Sequence, residues 1–98
     1  MISEKEMLKI ANNFIKSFEK EVGLELVLLK ELQIKKKYGT IFFYTTKKYY
    51  ETKDEKFGIA GNAPFLIESK NGKIVEFGTN RSEDFYIEEY EAGRWPVK

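Results

Sequence analysis

Apolar residues recur through the first quarter of the chain at steps of three and four. Met7, Ile10, Ala11, Phe14, Phe18 and Val22 form one stripe, widened by Leu8 and Ile15, while Asn12, Asn13, Lys16, Lys20 and Glu21 fill the other side. That period marks an amphipathic helix. Ser3 and Glu6 stand ahead of the stripe at the spacing of a capping box, in which hydroxyl and carboxylate each accept from the other residue's backbone N–H. Gly23 supplies a left-handed stop. The pattern predicts a helix over residues 4–22.

The period then changes. Leu24, Leu26 and Leu28 alternate with Glu25, Val27 and Leu29, so the run to Ile34 reads as a strand apolar on both faces. Lys35, Lys36 and Lys37 read as a turn. Residues 38–46, YGTIFFYTT, are β-branched and aromatic and predict a central strand paired with the run before it. Residues 47–64 show no clear period; they are polar and broken by Gly58, Gly61, Asn62 and Pro64, so a long irregular connection is expected. A connection of that length is more often functional than idle. Phe65–Glu68 and Lys73–Phe77 flank Asn71-Gly72, a hairpin signal because both residues tolerate positive φ. With Asn71 and Gly72 as the loop, Leu66 faces Phe77 and Glu68 faces Val75. Ser82 reads as an N-cap, Glu83 and Asp84 suit the positive end of a helix, and Phe85, Tyr86, Ile87 and Tyr90 mark a short helix ending near Gly93.

The order is α-β-β-β-β-α within one domain over 1–98. It predicts an α+β fold: an N-terminal helix packed on a four-stranded, mostly antiparallel sheet, with a short C-terminal helix. The core is expected to include Phe14, Phe18, Phe43 and Phe77. One face of the sheet stays open unless the C-terminal helix covers it. Two sets compete for that face: Val27, Leu29, Phe42, Tyr44, or Leu26, Leu28, Ile41, Phe43. An uncovered apolar face would bring a homodimer or a bound partner.

Composition narrows the chemistry. Seventeen basic and sixteen acidic side chains leave a net charge of +1, too little for a generic nucleic-acid binder. No run approaches the ~18 apolar residues of a membrane span, and the charged first residues do not resemble a signal peptide. A cytoplasmic protein without membrane or nucleic-acid partners is expected. The chain holds no His and no Cys, so the commonest general base and the thiol nucleophile are both missing. Glu51-Thr52-Lys53 and Glu68-Ser69-Lys70 have the Glu-x-Lys spacing of metal-dependent nucleases. The two Asp residues, Asp54 and Asp84, fall outside every predicted strand, so the usual third carboxylate is wanting. The reading is a non-enzyme with no metal and no cofactor.

The ordered strings FFYTTKKYYET, AGNAPFLI, NGKIVEFGT and YIEEYE, spread over residues 38–91, resemble the immunity protein 35 (YrhB-like) family. The chain departs from that pattern at Thr40, where many members carry Trp, and at Ala63, where a Gly precedes the proline. The resemblance implies a small bacterial protein, encoded beside a secreted polymorphic toxin, that binds and neutralises the toxin's catalytic domain. A small chaperone-like or peptide-binding module is the alternative. For the toxin, the candidate surface is the 47–64 connection with Tyr49, Tyr50, Glu51, Phe57 and Asn62. The acidic group Glu83, Asp84, Glu88 and Glu89 is expected to aid it by steering a basic partner.

Overall fold

The computed structural model describes residues 1–53, 63–78 and 81–96. Helix α1 spans Glu4–Val22, matching its stripe. The Ser3 hydroxyl accepts from the Glu6 N–H at 3.1 Å, and the Glu6 carboxylate accepts from the Ser3 N–H at 3.3 Å. Gly23 takes φ 71° and donates to the Glu19 carbonyl.

The next two runs each break in two. The chain forms β1 (Leu26–Leu28), a 3₁₀ turn (Lys30–Leu32), β2 (Ile34–Lys36), β3 (Gly39–Phe42) and β4 (Tyr44–Thr46). Strand β1 pairs with β4 as a two-stranded ribbon, and β2 pairs with β3. Between the pairs Leu28↔Tyr44 and Ile34↔Ile41 the first strand advances six residues and the second three. The 3₁₀ turn takes up the difference, and Leu29 donates to the Phe43 carbonyl at 2.8 Å across the junction. Period-two alternation cannot register such an insertion, because apolar residues continue through it. Lys35 and Lys36 are therefore strand residues, and the turn is Lys37–Tyr38.

Helix α2 (Lys47–Thr52) follows, then β5 (Phe65–Glu68), β6 (Ile74–Glu76) and α3 (Glu83–Glu91). The second sheet runs β2-β3-β5-β6, all antiparallel. In the β5–β6 hairpin Leu66 faces Val75, two residues from the expected register. A two-residue loop would draw Ser69 and Lys70 into the ladder. Instead Ser69 donates to the Tyr38 carbonyl and its own carbonyl accepts from Ile2. The β5 side of the hairpin closes two residues earlier, with Glu68 donating to Lys73 and Gly72, at φ 75°, donating back to Glu68.

Alternation along β3 and β5 builds two cores. Phe42, Phe65 and Ile67 join Leu26 and Leu28 beneath Met7, Ala11 and Ile15 of α1. Ile41, Leu66, Val75 and Phe77 face the other way and pack under Tyr86 and Ile87 of α3. Leu26 and Leu28 thus share a face with Phe42, not with Ile41. The α+β class holds, and among the described residues the four expected strand runs form six strands. The face opposite α1 is covered by α3, giving three layers. Phe77 is buried, whereas Phe14, Phe18 and Phe43 are half-buried.

Candidate functional site

The start of the 47–64 connection is a helix rather than irregular chain. The Thr46 side chain accepts from the Tyr49 N–H at 3.1 Å, and the Thr52 hydroxyl donates to the Lys48 carbonyl at 2.7 Å. Lys53 ends the helix at φ 59° and donates to Tyr49 at 2.7 Å. Six residues are too few to show a helical stripe, and the capping Thr is hidden at the end of a strand. Helix α2 packs on β1 and β4. Lys47 fastens it there, its N–H on the Glu25 carbonyl at 2.9 Å and its ammonium 3.4 Å from the Glu25 carboxylate.

This seat half-buries Tyr49 and leaves Tyr50 41% exposed, with Glu51 also on the surface. The Lys53 ammonium lies 4.7 Å from the centre of the Tyr50 ring. Phe57 and Asn62 lie outside the described residues.

The acidic candidates sit on another element. Ser82 caps α3 by accepting from Phe85, and Glu83 and Asp84 occupy the first turn, where the helix dipole favours them. Glu89 accepts a two-pronged contact from Arg94, at 2.6 and 2.9 Å, which holds its carboxyl below the usual carboxylate range. Glu83, Asp84 and Glu88 are exposed. Helix α3 packs on the four-stranded sheet, through Tyr86 and Ile87, while α2 packs on the ribbon. The two candidate groups are therefore held by different supports, not by one shared scaffold.

Sequence reasoning missed a polar cluster joining α3 to the sheet. Glu68 is only 8% exposed and accepts a short hydrogen bond from the Tyr90 hydroxyl. The Tyr90 ring lies 4.9 Å from that of Tyr38, whose hydroxyl donates to Glu91 at 2.7 Å. Lys36 stands 3.7 Å from the same Glu91 carboxylate. Burial first, then the glutamate contact, pushes Tyr90 up to about 12, and the same causes raise Tyr38 further. Both phenols are thus neutral donors that satisfy carboxylates, a clamp rather than a source of protons. The available signal was the position of Glu68, two residues after Leu66 on the same face of β5.

The two Glu-x-Lys motifs do not converge. Glu68 is buried and held by Tyr90 under α3, whereas Glu51 is exposed on α2. Among the described residues no three acidic side chains gather as a metal site requires, and no helix is long and apolar enough to cross a membrane.

No family model matches the chain, and no solved structure matches it. Over 53 residues, 54% of its length, the chain is 38% identical to an uncharacterized protein, YrhB, of Escherichia coli (strain K12). The aligned stretch covers 56% of that protein, so the chain spans little more than half of the curated relative it matches.

Proposed function

We propose that the chain is an immunity protein that binds and neutralises the catalytic domain of a cognate secreted bacterial toxin, with α2 as the main contact. The resemblance of the strings over 38–91 supports the first part. The observation that carries the second is the presentation of Tyr50. A large aromatic, 41% exposed, is held on a capped helix with a lysine ammonium beside its ring. Tyrosine is enriched at binding hot spots because it offers much contact area for few rotatable bonds. A ring already positioned loses less freedom on binding. Lys47, Glu51 and Lys53 around it give the polar rim of such a surface. On α3, Glu83, Asp84 and Glu88 add a negative field that steers a basic partner, while Glu89 is committed to Arg94.

The test is affinity for the toxic domain encoded beside the gene, with folding checked by circular dichroism. Tyr50→Ala is expected to weaken binding about 30-fold, the scale of a hot spot worth about 2 kcal/mol. Tyr49→Ala, which also removes support beneath α2, should weaken it too. If both variants fold and bind like the parent, α2 is not the contact. Weak, equal binding to unrelated unfolded chains would mark a chaperone-like module instead.

A further inference from the structure

Among the described residues, strands β2 and β6 form the two edges of the four-stranded sheet, and they are protected differently. β2 carries Lys35 and Lys36. Antiparallel pairing of β2 with a copy of itself would bring like charges together, which keeps that edge single. β6 reads Ile74-Val75-Glu76 and carries one charged side chain, the exposed Glu76, where β2 carries two like charges.

The ladder shows which β6 groups face outward. Phe77 donates to Pro64 and Glu68 donates to Lys73, so 77 and 73 are hydrogen-bonded positions toward β5. Alternation makes Val75 the third, opposite Leu66. The N–H and C=O groups of Ile74 and Glu76 then point away from the sheet. One of these four has a described partner: the Trp95 indole N–H donates to the Glu76 carbonyl at 3.0 Å.

Trp95 is held there by a tight strap. The N–H groups of Arg94 and Trp95 both donate to the Glu89 carbonyl, at 2.8 and 3.1 Å, and the Arg94 guanidinium grips the Glu89 carboxylate. The indole meets Tyr86 edge-on at 4.8 Å, and Tyr86 stacks on Phe77.

We propose that the outer edge of β6 is a strand-pairing surface for a second copy of this chain, and that Trp95 keeps it closed. The edge is self-complementary. With Val75 of both copies on a two-fold axis, Ile74 of each copy faces Glu76 of the other, and every outward N–H meets an outward C=O. Such a pairing is isologous and joins two four-stranded sheets into one. The group it cannot do without is the Glu76 carbonyl, which the indole holds.

The experiment is the solution mass of the full chain by light scattering across a concentration series. The parent is expected to be monomeric and Trp95→Ala to form dimers whose fraction rises with concentration. Glu76→Pro removes an outward N–H and leaves the bonds to β5 intact, so the double variant should return to monomer. Trp95→Phe keeps a ring against Tyr86 and loses the indole N–H, which gives a milder variant with weaker dimerisation should the alanine fail to fold. Slowed amide exchange at Ile74 and Glu76 in the dimer would place the contact. Folded Trp95 variants that stay monomeric to millimolar concentration overturn the proposal, as does a dimer that survives Glu76→Pro or a parent that is already dimeric.

Discussion

Single atoms decide several features of this molecule. Gly39 shows why a residue with no side chain can be required. A Cβ there would sit 2.1 Å from the Ile67 carbonyl oxygen, inside the β3–β5 ladder, so Gly39→Ala must pry that pairing apart. At Gly23 a Cβ meets nothing within 4 Å, and the cost of alanine is that of a positive φ alone, about 1 kcal/mol. The clamp at Glu68 makes a sharper test. Tyr90→Phe leaves a buried carboxylate without its donor, and a loss of about 1–3 kcal/mol is expected in urea unfolding. Glu68→Leu in the same chain should recover part of it, since no charge is then left unpaired. The clamp also sets an alkaline limit. Tyr90 and Tyr38 hold their protons more tightly folded than unfolded, where a phenol releases its own near ~10. Their contribution is complete below about pH 10 and drains as pH rises toward about 12. The urea midpoint should fall over that window, and less steeply in the Tyr38→Phe/Tyr90→Phe variant.

At the scale of elements, the parts with local causes are the ones the sequence announces. Helix α1 has stripe, box and stop in one stretch, and its ends were legible to the residue. Ser3→Ala should cost about 1 kcal/mol in thermal or chemical unfolding, because it removes the acceptor for the Glu6 N–H. Helix α3 was legible for the same reason, through Ser82 and its first-turn acids. Elements fixed by distant contacts were not. The split of the first strand at Lys30–Leu32 depends on β1 and β2 choosing different partners, and no local pattern encodes that choice. The β5–β6 register was missed because the Asn-Gly signal locates a turn without fixing its length. That length is set by Ser69, which bonds Tyr38 and Ile2 from outside the hairpin. The candidate site divides likewise. Tyr49 and Tyr50 were found as aromatics in a polar stretch, but the helix that presents them was hidden by its shortness. Glu89 read as a free surface acid, and Arg94, five residues on, was the overlooked partner.

In the molecule as a whole the four-stranded sheet serves two cores, and this predicts how it unfolds. Phe65 and Leu66 are neighbours on β5, yet one packs toward α1 and the other toward α3. Neither core can loosen without moving the strand that forms the floor of the other, so the chain should unfold as a single unit. The single tryptophan makes this measurable, because Trp95 lies against Tyr86 on the α3 side, across the sheet from α1. Ile15 is 2% exposed in the α1 core, and Ile15→Ala should cost about 2–5 kcal/mol through lost contacts and the cavity left behind. If the two cores are one unit, indole fluorescence and far-ultraviolet circular dichroism shift to the same lower urea midpoint in that variant. Ile87→Ala, on the α3 side, should likewise lower both probes together. A molecule whose α3 layer unfolds by itself would behave otherwise: Ile15→Ala would move the dichroism and leave the Trp95 transition where it was. Coincidence of the two curves in both variants is the expected result, because every strand of the central pair β3–β5 contributes a buried side chain to each core.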